Sequence, residues 1–242
     1  MPVFREQDNL RLFYGTLQKL MEEYTKNYEW EIIFVNDGST DRTEEILEEL
    51  SKENPYCRVI ELSRNFGKEI ALSAGVDYAS GDLVICMDAD LQHPPSQIPD
   101  MLRCWEDGYE VVEMIRSHSE SEPWLRRAGS AIFYFILKFI SSTEILAKTT
   151  DFRLLDRKVV QALKQVEERQ RMFRGIVDWL GFRKTHLNFI APPRKHGNSV
   201  YSYSKLLNLA LNSFISFSSI PLKLIGLFGI SITVISGIVL LW

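Results

Sequence analysis

Short apolar runs recur along the first half of the chain, and each ends in a polar cluster followed by a helical pattern. Trp30–Val35 runs into Asn36-Asp37-Gly38-Ser39-Thr40-Asp41, and Cys57–Leu62 into Ser63-Arg64-Asn65-Phe66-Gly67-Lys68. Leu83–Met87 runs into Asp88-Ala89-Asp90-Leu91-Gln92-His93-Pro94-Pro95, and Tyr109–Ile115 into Arg116. Between them, Leu10, Leu12, Phe13, Leu17, Leu20 and Met21 fall at helical spacing, as do Ile46, Leu47 and Leu50. Helices are also expected over 69–79 and 96–105. A strand–helix rhythm of about 25 residues dictates right-handed βαβ units and an α/β fold with a mostly parallel sheet. Ligands of such sheets bind outside the carboxyl ends of the strands, so the polar tips should share one site. Neither GxGxxG nor GxxxxGK[ST] occurs, which removes the dinucleotide and P-loop readings. Gly38 suits a tight turn, with Ser39 or Thr40 expected to cap the next helix.

The richest tip follows Leu83–Met87, a run short enough for a buried strand. Asp88 and Asp90 stand two apart, so in extended chain both carboxylates point the same way. With the Gln92 carbonyl they offer oxygen ligands to a hard cation, Mg2+ or Mn2+, which commonly binds one or two carboxylates plus substrate phosphates. Taken alone, Asp-x-Asp equally describes a solvated turn after a strand.

The second half is less regular. Asp151–Asp156 reads as a short strand before a helix over 158–166, 172–182 as a helix, and Leu187–Ile190 as an edge strand. The apolar stretch 131–140, flanked by Arg126, Arg127 and Lys138, suits an interfacial helix or a core helix. From Leu224 to Trp242 there is no charged residue, and a helix of that length would span roughly 28 Å, a bilayer's hydrocarbon thickness. Arg194, Lys195, Lys205 and Lys223 precede it, which would keep the N-terminal domain on the cytoplasmic side. The expected organisation is a domain over 1–200, an amphipathic juxtamembrane helix over 201–221 and a transmembrane helix over 222–242.

A net charge of −4 leaves no basic footprint for nucleic acid. Cys57, Cys86 and Cys104 lack metal-ligand spacing and read as reduced thiols, and the four histidines are scattered.

Several blocks carry a resemblance: PVFREQDNL, VNDGSTDRT, SRNFGKEIALSAG, DADLQHPP, WLRR, TDFRLLDRKVVQAL and RKHGNSVYSYSKLLNLA. In this order, spanning nearly the whole chain, they resemble membrane-anchored, inverting glycosyltransferases of family 2 that load a sugar onto a polyprenyl phosphate. The bacterial undecaprenyl-phosphate glucosyltransferases are of this kind, and dolichyl-phosphate mannose synthase is similar at greater distance. The resemblance implies a Rossmann-like nucleotide-sugar domain of the glycosyltransferase A type. It also implies a UDP- or GDP-sugar donor, a polyprenyl-phosphate acceptor and a divalent cation. It places Asp37 at the nucleotide base, with Pro2, Phe4 and Glu6 beside the nucleoside. It makes Asp88, Asp90 and Gln92 the metal and diphosphate set, and Arg116 and Arg127, with Ser130 or a neighbour, the acceptor-phosphate set. It gives Asp151 and Arg153 to the motif closing the site, and Arg194, Ser199 and Tyr201 to the loop over the diphosphate. Asp151 suits either orientation of substrate or a loop cap. A homo-oligomer is compatible with all of this.

The chain departs from the family pattern at several places. Arg5-Glu6 stands where Asn-Glu is usual, Thr150 where Gly is usual, and Val200 where Lys is usual. The first strand is expected to begin upstream of Pro2 and a second membrane helix to follow Trp242. Two rivals remain: a membrane-anchored scaffold without activity, and a transferase for a soluble or polymeric glycan. The latter usually carries a QxxRW block, absent here because Gln170 precedes Arg171-Met172-Phe173-Arg174.

Overall fold

The structure, a computed structural model, describes residues 1–24, 26–117, 149–166, 173–192, 229–233 and 235–239. The chain divides into two compact units. One comprises Met1–Glu120 with Lys148–Gly197, and the other Ser121–Ala147 with Asn198–Trp242.

In the first unit the expected rhythm is present. β1 (Pro2–Val3) leads to α1 (Leu10–Tyr24), β2 (Ile32–Asn36), α2 (Thr43–Glu53), β3 (Cys57–Glu61) and α3 (Lys68–Tyr78). β4 (Leu83–Cys86), a 3-10 turn (Pro95–Gln97), α4 (Ile98–Glu106) and β5 (Val111–Arg116) follow. Then come β6 (Thr149–Asp156), α5 (Arg157–Lys164), α6 (Phe173–Leu180) and β7 (Lys184–Phe189). α1 buries Leu10, Phe13, Tyr14, Leu17 and Met21, one stripe at helical spacing. Every residue of β2 is buried, as its unbroken apolar run requires.

The strands form two hydrogen-bonded sheets, β1-β2-β3 and β4-β6-β5-β7. The first is wholly parallel, and β5 pairs parallel with β7, an edge strand as expected. β4 departs from the parallel scheme, because β6 lies antiparallel between β4 and β5. Periodicity marks a strand but not its partner, so the inserted β6 could not be read from spacing. β4 and β5 both run opposite to β6. Their C-terminal ends and the N-terminal end of β6 therefore share one edge, which keeps the strand-tip site intact. Cys86 pairs with Arg153, so continuing the register outward sets Asp88 opposite Asp151.

The core is largely one cluster, with Phe13, Phe34, Leu47, Met101, Phe152 and Leu154 all fully buried. Among the described residues no helix is long and apolar enough to cross a membrane. The expected transmembrane segment 222–242 falls mostly outside the described residues, but 229–233 and 235–239 are helical there. Ile230, Ile232, Ile235, Ile238 and Val239 are all exposed on these pieces.

The α2 cap differs from expectation. The N-cap position is Arg42, with no side-chain cap bond, and the Thr43 amide donates to Asp41 Oδ1 instead. The Ser39 and Thr40 hydroxyls are taken by Arg5, whose backbone N–H donates to Ser39 Oγ and whose guanidinium donates to Thr40 Oγ1. They join the loops after β1 and β2 rather than starting a helix.

Gly38 sits between these loops at φ +64°, where a Cβ would lie 2.4 Å from the Arg64 carbonyl carbon. Gly38→Ala should therefore lose about 1–3 kcal/mol of unfolding free energy in urea titrations, from strain plus displacement of the 64–67 loop.

Candidate active site

The site begins with a backbone turn. Arg64 to Gly67 bends from β3 into α3, with Gly67 at φ +98°. The carboxylate of Asp37, buried at the tip of β2, accepts from the Phe66 N–H at 2.7 Å and the Gly67 N–H at 2.9 Å. Helix N-termini leave such N–H groups without intrahelical partners, and a carboxylate is well suited to take them. Both oxygens of Asp37, the residue expected at the nucleotide base, are thus engaged by the turn, and it is only 3% exposed. Asp37 is a clamp on the α3 turn.

The clamp sets Lys68 as the first residue of α3. Its ammonium lies 2.7 Å from Asp88 Oδ2 and 2.7 Å from Asp151 Oδ2. A cation at a helix N-terminus opposes the helix dipole, so the two carboxylates must hold it there. Arg174, in the first turn of α6, grips Asp151 through both oxygens, Nε to Oδ1 at 2.6 Å and the terminal nitrogen to Oδ2 at 3.2 Å. Burial alone would raise the Asp151 carboxyl, but Lys68 and Arg174 override it and pull its pKa down to about 2. Burial opposes the charge on Lys68 as well, and Asp88 and Asp151 outweigh that and raise its pKa. Glu69 accepts from the Phe173 N–H at 2.9 Å, tying α3 to α6.

Asp88 is partly exposed, and its own N–H donates to His93 Nδ1 at 2.9 Å. His93 is buried, stacked on Phe152 at 5.1 Å and edge-on to Phe189 at 6.0 Å. Burial lowers its pKa, which suits a neutral ring accepting at Nδ1. Asp90 Oδ1 accepts from the Gln92 N–H at 3.0 Å, and Leu91 between them has φ +63°. A branched residue in the left-handed region marks a held turn of the kind that gathers at functional sites.

The other expected residues fall as follows. Pro2 and Glu6 are partly buried and Phe4 is exposed, with the Arg5 guanidinium 5.1 Å over its ring. Arg116 is exposed at the end of β5, on the shared edge. Arg153, expected with Asp151 in the motif closing the site, is fully buried. It lies 3.3 Å from Glu113 Oε1, also fully buried, and His186 Nδ1 is 3.2 Å from the other oxygen. These three are cross-strand neighbours on β6, β5 and β7, so the charge of Arg153 is spent inside the sheet. Thr150, where Gly is usual, donates its hydroxyl to the Met114 carbonyl at the β5/β6 irregularity. Arg127, Ser130, Arg194, Ser199 and Tyr201, and the apolar stretch 131–140, lie outside the described residues.

Sequence reading missed Lys68, Arg174 and Glu113. The first two had a usable signal, because a basic residue opening a helix runs against the dipole and needs an acidic partner.

Two acidic, partly exposed oxygen donors at Asp88 and Asp90 fit a hard divalent cation, and Asp88 already draws a cationic group to 2.7 Å. Among the described residues no group of three His, Cys, Asp or Glu side chains could hold a metal by itself.

The comparisons follow the same lines. The model of glycosyl transferase family 2 matches residues 1–164. A glycosyltransferase of Synechocystis, sll0501, is 41% identical over 236 residues, covering 98% of this chain and 74% of that protein. The bactoprenol glucosyl transferase of Shigella phage SfV is 40% identical over 240 residues, covering 98% of this chain and 78% of its own length. Among solved structures, glucosyl-3-phosphoglycerate synthase from Mycobacterium tuberculosis, in complex with Mn2+, UDP-glucose and phosphoglyceric acid, superposes with a TM-score of 0.53. It is 19% identical and covers 89% of this chain and 76% of its own, a likeness of fold.

Because the His93 pKa is lowered on folding, the unfolded chain binds its proton more readily, so stability is fully present above 6.5 and falls as the pH drops below it. His93→Gln keeps an acceptor for the Asp88 N–H and should flatten that fall, read by urea unfolding at about pH 7.5 and about pH 5.5.

Proposed function

The chain belongs to glycosyltransferase family 2 and has the glycosyltransferase A fold, and on that premise we propose that it moves a hexose from a nucleoside-diphosphate sugar to a polyprenyl phosphate. The donor is UDP-glucose or GDP-mannose, and the configuration at the anomeric carbon inverts.

One observation carries the choice of acceptor. A hydroxyl acceptor needs a general base whose pKa lies near the working pH. Asp151, the buried carboxylate at the centre of the site, is held at about 2 and is a poor base. A phosphate monoester needs no such base, because its second pKa near about 6 leaves it largely ionised at neutral pH. The bactoprenol glucosyl transferases, 40% identical, carry a polyprenyl carrier in their name and support the same choice.

In this reading Asp88 and Asp90 face the donor diphosphate and would hold Mg2+ or Mn2+ with Gln92 beside them. When bound, the cation supplies positive charge to the leaving nucleoside diphosphate. Asp151, fixed by Lys68 and Arg174, orients the reacting groups without taking a proton. Arg116 waits at the same edge for an anionic acceptor, since guanidinium binds phosphate in a bidentate manner. An acceptor phosphate oxygen bonds to the anomeric carbon as the bond to the diphosphate breaks, and the electrons leave with the diphosphate.

The acceptor is a membrane lipid, and anchoring fits the sequence. Leu224–Trp242 carries no charge, and the described helical residues there expose isoleucine side chains to their surroundings. We place the protein at the cytoplasmic membrane with its catalytic unit facing the cytoplasm.

Membranes carrying the full-length chain, given radiolabelled UDP-glucose or GDP-mannose and undecaprenyl phosphate, should yield a labelled lipid-soluble product, and polyprenol without its phosphate should yield none. Absence of transfer from every UDP- and GDP-sugar would overturn the enzyme reading. Asp90→Ala should lower kcat roughly a hundred-fold, the scale of losing one electrostatic contact to developing charge.

A further inference from the structure

We propose that Lys68 is a built-in counter-cation of the donor site, occupying the Asp88 carboxylate until a divalent cation displaces it. The proposal rests on Asp88 as a cation ligand and concerns the step before any sugar is bound.

Three features of the structure lead to it. First, Lys68 is held by contacts and not by its helix. It opens α3, where the dipole disfavours a cation, and its ammonium sits 2.7 Å from one oxygen each of Asp88 and Asp151. Second, the two carboxylates depend on it unequally. Asp151 keeps a bidentate guanidinium from Arg174 if Lys68 leaves, at 2.6 and 3.2 Å. Asp88 has His93 Nδ1 at 3.7 Å from its Oδ2, but that nitrogen already accepts the Asp88 N–H and lends it no charge. Third, the Lys68 side chain is 43% exposed, so it can swing aside without crossing a packed core. The Asp151 carboxylate, already 2.7 Å from the ammonium, gives it a place to remain.

Lysine and a divalent cation then compete for one carboxylate oxygen. Before loading, the ammonium keeps Asp88 from facing Asp151 and Asp90 as an uncompensated charge. After loading, the same ammonium is on the Asp151 side of the site, available to an anionic substrate. The chain thus changes which group neutralises Asp88 without leaving two carboxylates unpaired.

Direct binding of Mn2+ alone tests this, by electron paramagnetic resonance titration of the full-length chain in detergent. Lys68→Met should bind Mn2+ about ten-fold more tightly than the parent, within the usual range for coupling between two ligands of one site. A merely structural lysine predicts the opposite, since its loss would loosen the site. Arg174→Met removes a charge that is hydrogen-bonded to Asp151 and acts on Asp88 without a direct hydrogen bond, and should tighten Mn2+ much less. Lys68→Arg, retaining charge, should stay near the parent. Circular dichroism confirms that each variant is folded, and Lys68→Gln replaces Lys68→Met if the latter is not. Unchanged or weaker Mn2+ binding in both neutral variants overturns the proposal, as does equal tightening by Arg174→Met, or no Mn2+ binding in any form. No sugar donor enters the measurement, so loss of transferase activity and failure of this competition are read separately.

Discussion

Two hydrogen bonds from a helix-opening turn to the Asp37 carboxylate set the rest of the site. They fix the turn between β3 and α3 against the tip of β2. Gly38 lets that contact close, because the space its Cβ would need is filled by Arg64 and Asn65 backbone. With the turn fixed, Lys68 reaches Asp88 at the end of β4 and Asp151 at the start of β6. Residues far apart in the chain meet because β4 and β6 are antiparallel and in register near their ends. The polar tips of the parallel half and the mixed half become one electrostatic unit through a single side chain.

That arrangement supports the proposed chemistry. A carboxylate gripped by two cations is an orienting group and not a proton acceptor, which favours an acceptor that arrives ionised. The held turn at Leu91, and His93 packed between two phenylalanines, then fix Asp88 and Asp90 without using their outward oxygens for the core. Rigidity under the site and charge at its surface are supplied by different residues, as preorganised electrostatic catalysis requires.

Much of this was legible in the sequence. The apolar runs gave β2, β3, β4 and β5, Asp88 and Asp90 were recognisable as tip carboxylates, and Asp151 was marked by the family resemblance. Partner identity was not legible. β6 inserts antiparallel, and nothing in periodicity names a strand's neighbour. Arg153 was marked with Asp151 by the family resemblance, and only the structure shows that it is fully buried beside Glu113. The tip position of Asp37 was legible, but not that its oxygens accept from N–H groups of a turn thirty residues on. Ser39 and Thr40 fitted a helix cap by residue type, and lost that role to Arg5, whose approach depends on tertiary folding.

Asp88 and Asp151 act as one unit through Lys68. A double-mutant cycle of Asp88→Asn and Asp151→Asn, measured as unfolding free energy in urea with chelator present, addresses it directly. The shared ammonium predicts an interaction energy of about 0.5 kcal/mol or more between the two substitutions. Losses that simply add, within about 0.3 kcal/mol, would mean that the two carboxylates are independent and contradict the account.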